Sequence, residues 1–258
     1  MQIKCPICHQ LMAENNNQLT CVNNHSFDKA KQGYYHLDTT NKKHKGDDSL
    51  MVTGRIRFLN NGAYDHLVGA LQQVMHHYNI QSLLDYACGP GFYASKLNVN
   101  DKVGIDLSKE AIKYAAKNDK STHYYIANGF SLPFFDHSFD GIMVVFAPNS
   151  LDEFARLLKC NGHLIIVSPG PNHLVEMKQV LYDTVYTNPY KPIEDPRFLL
   201  QHNATISQKV TMSQTMIADC FDMTPYRYKT KPSAIEKLQQ IEKLDITCEF
   251  MISIYTLR

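Results

Sequence analysis

The 258-residue chain has no apolar run approaching the roughly 20 residues a membrane helix requires, and its N-terminal stretch lacks the apolar core of a secretory leader. A cytoplasmic protein is expected. It carries no surplus of charge either, since 26 Lys and Arg stand against 25 Asp and Glu for a net +1. Global attraction to a polyanion is therefore missing, and any nucleic acid would have to be met by local clusters. Nor is there an even set of cysteines: three of the seven crowd the first 21 residues, and Cys88, Cys160, Cys220 and Cys248 are scattered singly. That distribution argues against a disulfide framework. The length suffices to bury one full α/β core and leaves a small appendage.

The core is organised around residues 82 to 108. Leu83 and Leu84 run into a turn holding Gly89, Pro90 and Gly91, a helix-like stretch follows, and Val103 to Ile105 ends in Asp106. This is a β-α-β unit with a Gly-rich first turn. Glycines at 89 and 91 let the backbone come close to a ligand where a Cβ would clash, and the next helix offers unpaired N–H groups. A dinucleotide site asks for G-x-G-x-x-G, and Ala94 in the third place is tolerated by the looser form, so the run alone also fits NAD. Asp85 shifts the balance. An acid at the end of the first strand would repel a pyrophosphate, but it suits the sulfonium and ammonium of S-adenosylmethionine (SAM). Asp106 is placed to take both ribose hydroxyls, and Ala87, Phe92 and Tyr93 complete the turn as cofactor-binding candidates. Asn128 and Gly129, at the exit of the third strand, are expected beside the adenine, although Asn-Gly also reads as a plain turn.

The N-terminal cysteines belong to Cys5-Pro-Ile-Cys8 and, after twelve residues, Cys21-Val-Asn-Asn-His25. Two such pairs on two turns can point three thiolates and one neutral imidazole at a single tetrahedral zinc. The alternative is a set of free thiols in a short hairpin, but a segment this small and polar has no other evident means of holding a fold. His9 could compete with His25, at the cost of a strained chelate beside Cys8. A closed Cys3His set makes the metal structural, and the module is expected to depend on it without affecting SAM binding.

Between these parts, Phe27, Lys29, Lys31, Tyr34 and Tyr35 interleave cations with aromatics, and residues 36 to 50 read as a linker whose Lys42-Lys43-His44-Lys45 run is available for phosphate. Residues 49 to 79 carry helical periodicity, with Arg55 and Arg57 as a second source of phosphate contacts. After Asp106, Ser108 is an N-cap. A fourth strand runs to Phe146, and Phe146, Pro148 and Asn149, at the switch point of the sheet, are the candidates for positioning a substrate base. Asp140 lies too early on that strand to be a base, and no catalytic base is assigned. Residues 184 to 212 are poorly periodic, hold Pro189, Pro192 and Pro196, and are expected to form an insertion over the site. A last strand near Ile246 to Leu257 completes a seven-stranded sheet with a reversed edge strand.

Taken together, the zinc run, the Phe58-Leu-x-x-Gly62-x-Tyr64 pattern, the Gly-rich turn, Phe146-Ala-Pro148, Ser168-Pro-Gly-Pro-x-His-Leu-x-Glu-x-Lys178 and Met223-Thr-Pro225 resemble the RlmA family of 23S rRNA (guanine-N1)-methyltransferases over essentially the whole chain. The resemblance implies a class I SAM-dependent methyltransferase fold, Rossmann-like, with a small N-terminal zinc-binding domain. It further implies methylation of one guanine N1 in a hairpin of 23S rRNA domain II, a homodimer, and a zinc module that helps to recognise RNA. Two positions depart from the family. Ala87 stands where Gly is usual, trimming backbone freedom near the methionyl group, and Pro90 stands where an acid is common. The expected division is a zinc-binding domain at 1–37, linker and helices at 38–79, and the methyltransferase domain at 80–258. A small-molecule SAM methyltransferase with a zinc appendage is the alternative, and it would want a closed apolar pocket under residues 184 to 212.

Overall fold

The computed structural model describes residues 2–40 and 49–258, so the basic run Lys42, Lys43, His44 and Lys45 lies outside the described residues. The N-terminal module is an antiparallel sheet of four strands, β1 (Ile3–Lys4), β2 (Leu11–Asn15), β3 (Gln18–Cys21) and β4 (Ser26–Asp28). Asn16 and Asn17 join β2 to β3 with φ of 48° and 63°, the two left-handed positions that a two-residue hairpin requires and asparagine tolerates. A fifth strand, β5 (Tyr35–His36), leaves the module for the large sheet.

The helical region expected before the Gly-rich strand is present as α1 (Ser49–Asn60) and α2 (Asp65–His77). Then come β6 (Ser82–Tyr86), α3 (Phe92–Lys96), β7 (Asp101–Asp106), α4 (Lys109–Asn118), β8 (His123–Ile126) and β9 (Phe139–Val145). The chain continues through α5 (Leu151–Leu157), β10 (Leu158–Pro169), α6 (Val175–Leu181), β11 (Phe198–Ser213), α7 (Gln214–Asp222), a 3-10 turn at Pro225–Tyr228, α8 (Pro232–Gln239) and β12 (Lys243–Leu257). Ser108 caps α4 as expected, its side chain accepting from the Ala111 N–H.

The large sheet runs β11-β12-β10-β9-β6-β7-β8-β5. Its order reverses between β6 and β9: the chain builds outward through β7 and β8, then returns to β9 on the other side of β6. A crevice opens outside the carboxyl ends of those two strands. Every residue of β6 is buried, as expected for a parallel strand covered on both faces.

The sheet departs from expectation in three ways. It has eight strands, because β5 adds itself parallel to β8. The reversed strand β12 is not at the edge, since β11 pairs antiparallel to it along its length. And residues 198–213, part of the supposed insertion, are that edge strand. Its inward face is carried by Ala204, Ile206, Val210 and Met212, but this alternation is broken at Gln208 and absent from the exposed stretch Leu199 to Asn203, so the period-2 signal that marks a half-buried strand is short.

The module is also less separate than expected. Ile3 forms a bridge with Phe134, the Lys4 N–H donates to the Pro133 carbonyl at 2.8 Å, and Lys4 Nζ pairs with Asp136 at 3.2 Å. Cys5, Met12, Leu19 and Cys21 share one apolar cluster with Tyr86, Leu132, Phe134 and Phe154 of the large domain. Three of the interleaved cations and aromatics of residues 27 to 35 serve this packing. Tyr34 and Tyr35 are buried, Tyr35 stacks on Tyr125 at 6.2 Å, and Lys29 is tied to Glu14 at 2.8 Å.

Candidate metal centre and cofactor site

Cys5, Cys8, Cys21 and His25 converge, with their four ligand atoms all within 4.8 Å of one another. Cys8 Sγ and Cys21 Sγ are 3.6 Å apart, and His25 Nδ1 is 3.5 Å from both Cys5 Sγ and Cys21 Sγ. A tetrahedron with metal–sulfur bonds near 2.3 Å sets its sulfurs about 3.8 Å apart, so this donor set fits zinc. Local backbone builds the two corners. The Cys5 carbonyl accepts from His9 N–H at 2.9 Å, the Cys21 carbonyl from Asn24 N–H at 2.9 Å, and His9 and Asn24 both turn through positive φ. His9 stands outside the cluster. The backbone N–H of Gln10 does most to lower the Cys8 thiol, to about 6, whereas burial raises Cys5.

The crevice at the switch point is a cavity of about 1050 Å³, lined by Asp85, Ala87, Gly89, Phe92, Tyr93 and Asp106 and also by Phe146, Pro148 and Asn149. Most of the expected site residues therefore meet in one place. A second cavity, of about 110 Å³ between α1, α3 and α4, is too small for a nucleoside.

Asp85 is 1% exposed, its Oδ2 has no hydrogen-bond partner, and burial pushes its carboxyl up to about 8. A lone buried carboxyl in a ligand-sized cavity is costly unless a cation joins it, so the residue fits the ammonium of SAM. Asp106 accepts the Gly89 N–H at 2.8 Å through Oδ2 and the Ser108 N–H at 2.7 Å through Oδ1. It thus clamps the Gly-rich turn to the end of β7. A carboxylate on the cavity wall is the kind of acceptor that a ribose hydroxyl takes.

The two glycines do different work. Gly89 has φ +53°, and a Cβ there would meet only Arg55 Nη1, at 3.8 Å, so this residue keeps backbone open to the cavity. Gly91 has φ +74° and does not line the cavity; a Cβ on it would strike Tyr124 and Ala115, the latter at 2.9 Å. The left-handed backbone and the close packing against α4 are what require glycine here. At Asn128 the plain-turn alternative is the one that forms. Its Oδ1 accepts the Phe130 N–H at 3.1 Å, closing a turn, and only Gly129 and Phe130 of that loop line the cavity. Ala87 takes φ 55° and Phe146 φ 55°, left-handed positions that cost a side chain about 1 to 2 kcal/mol. Both strained residues bound the cavity.

Asp140 is confirmed as remote, accepting from Ser82 N–H and Oγ at 2.8 Å and pairing with Lys159 at 2.8 Å. Arg57, expected as a phosphate contact, pairs with buried Asp219 at 2.6 Å while its own side chain stays 53% exposed. Arg55, read from the sequence as a phosphate contact, lines the cavity, and so do Tyr64, His173, Thr224 and Tyr226, which sequence reasoning passed over. All lie within or beside patterns already noted, 58 to 64, 168 to 178 and 223 to 225, so the signal was available but carried no chemistry. His173 is buried, bonded to Tyr64 Oη at 3.2 Å, and burial lowers its imidazole to about 3, which keeps it neutral. Of the expected insertion, residues 188 to 191 and Ile193 line the cavity. Asn188 Nδ2 donates to the Gly170 carbonyl at 2.8 Å and the Ile193 N–H to Tyr255 Oη at 3.1 Å, which straps this short piece across the opening.

Fold and site together define a SAM-dependent methyltransferase that carries an N-terminal zinc ribbon. Residues 3–45 match the family model described as RlmA, N-terminal, and residues 84–166 match a methyltransferase domain. YxjB of Bacillus subtilis (strain 168), named provisionally as a 23S rRNA (guanine-N(1)-)-methyltransferase, is 30% identical over 97% of this chain and 95% of its own length. A protein of Micromonospora griseorubida with the same provisional name is 27% identical over 90% of this chain and 89% of its own. The 23S rRNA (guanine(748)-N(1))-methyltransferase of Streptomyces fradiae is 29% identical over 69% and 67%. The chain belongs to the RlmA family of 23S rRNA (guanine-N1)-methyltransferases.

Proposed function

We propose that the protein methylates N1 of a guanine in a domain II hairpin of 23S rRNA, with Asp85, Ala87, Gly89, Phe92, Tyr93, Asp106 and Gly129 holding SAM. The observation that carries this reading is the pairing of an RlmA-type ribbon with a methyltransferase domain in one chain, related over nearly its whole length to YxjB. Bound SAM would supply a methyl group already activated by its sulfonium, so the protein's main contribution is orientation.

The residues beyond the turn suit that task. Guanine N1 carries a proton and is hidden in a Watson–Crick pair, so the base must be unpaired or flipped to be reached. Phe146, 43% exposed at the exit of β9, offers a ring on which such a base can stack, and Asn149 and the Pro148 carbonyl offer polar partners. The neutral state of His173 keeps a further positive charge out of a cavity that must take a cationic donor. We take the protein to act as a homodimer in the cytoplasm, with the ribbon assisting RNA recognition; no helix among the described residues is long and apolar enough to cross a membrane.

The metabolite alternative asked for a closed apolar pocket under residues 184 to 212; of that stretch only residues 188 to 191 and Ile193 line the cavity, and residues 198 to 212 belong to strand β11. The two readings separate in one assay. The protein, SAM and an unmodified 23S rRNA transcript are incubated, and the digested nucleosides are identified by mass spectrometry. Formation of 1-methylguanosine is expected; its absence, with turnover on small nucleophiles, would favour the metabolite class.

A further inference from the structure

The methionyl end of SAM is a zwitterion, so an acid by itself would satisfy the ammonium and repel the carboxylate. Asp85 supplies the acid. Among the described residues lining the cavity, Arg55 and Lys191 carry the fixed positive charges. Lys191 is exposed on the strap. Arg55 is half-buried, and its Nη1 lies 3.8 Å from the point where a Cβ on Gly89 would project, over the turn that leads out of Asp85. The phenol of Tyr93, raised chiefly by burial, is pushed further up by Asp85 and pulled back by Arg55, which places both charges around one ring.

The helix holding Arg55 is fixed. A Cβ on Gly54 would come within 2.9 Å of Asp222 Cβ, so α1 lies hard against α7; Arg57 grips Asp219 at 2.6 Å, and Phe58 is fully buried. Nη2 donates to the Met223 carbonyl at 3.4 Å, which sets the plane of the guanidinium. A guanidinium offers paired donors that match a carboxylate.

We infer that Arg55 binds the carboxylate of the cofactor's methionyl end, opposite Asp85, so that helix α1 and strand β6 form the two sides of an amino-acid cradle. This rests on the cofactor reading above, and the test keeps the two apart. Full-length wild type and R55Q are titrated calorimetrically with S-adenosylhomocysteine and with 5′-methylthioadenosine, which lacks the amino-acid end. R55Q should weaken S-adenosylhomocysteine by about 10- to 100-fold, the span of one charged hydrogen bond, and 5′-methylthioadenosine by less than about twofold. R55K should fall between, because an ammonium cannot match the bidentate fork. Should neither variant fold, the methyl ester of S-adenosylhomocysteine makes the same measurement on wild type, which should bind it about as weakly as predicted for the acid on R55Q. Equal losses for both ligands, or an ester that binds as well as the acid, would overturn the assignment. So would unchanged S-adenosylhomocysteine binding together with weakened RNA binding, which would move Arg55 to the substrate phosphates. A wild type that binds neither nucleoside would overturn the cofactor reading itself.

Discussion

A carboxyl that burial pushes up to about 8 is mostly neutral at pH 7, whereas a cationic ligand wants it ionised, so Asp85 should couple cofactor binding to proton release. The direction follows from the shift. In the folded protein without ligand the group keeps a proton that the unfolded chain gives up near pH 4, so its contribution to stability is full below that range and is lost as pH rises through about 8. SAM affinity should move the opposite way, rising by up to about tenfold per pH unit below 7 and levelling off above 8. Calorimetry at pH 7 in two buffers of different ionisation heat should show close to one proton released, and D85N should abolish both the release and the pH dependence. A flat profile in wild type would mean that Asp85 does not face the cation. Ala87 makes a second prediction at this scale. Its φ of 55° is strained for any residue with a Cβ, so A87G should raise stability by roughly 1 kcal/mol in denaturant melts despite the greater freedom glycine gives the unfolded chain.

Among the elements, the loop between β8 and β9 links the two halves of the protein. Leu37 N–H holds the Ile126 carbonyl at 2.8 Å on one side of it, and Lys4 N–H holds Pro133 on the other, with Gly129 and Phe130, which line the cavity, in between. The ribbon thus braces the loop. Against the expectation of independence, chelating the metal or making C8S should speed hydrogen exchange at residues 127 to 132 and weaken S-adenosylhomocysteine by about threefold to tenfold, or up to about 1.4 kcal/mol. Unaltered exchange in that loop after zinc loss would show the brace to be idle. The contrast with Gly91 and β11 shows how far a sequence reaches. The β-α-β unit, the Ser108 cap and the Cys/His cluster were legible because each follows from local spacing and turn chemistry. Gly91 against Ala115 and Arg57 on Asp219 were not, because each depends on a partner brought close only by tertiary packing. Strand β11 escaped for another reason: its inward face, Ala204, Ile206, Val210 and Met212, alternates only over its second half and is interrupted at Gln208.

For the whole molecule, a net charge of +1 means that RNA affinity must come from local cations, and Arg57 already shares its charge with Asp219. The run at Lys42, Lys43 and Lys45 remains the best source. Replacing all three by Ala should flatten the log–log salt dependence of binding to the domain II hairpin by about two to three units, with S-adenosylhomocysteine affinity unchanged. Modification of rRNA itself is read most directly by primer extension on 23S rRNA from cells with and without the gene, because a methyl on N1 blocks base pairing and halts the polymerase. A strong stop at one guanine of a domain II hairpin, present with the gene, lost without it and lost in a D85N strain, is the predicted result. Identical extension patterns from both strains would contradict the account.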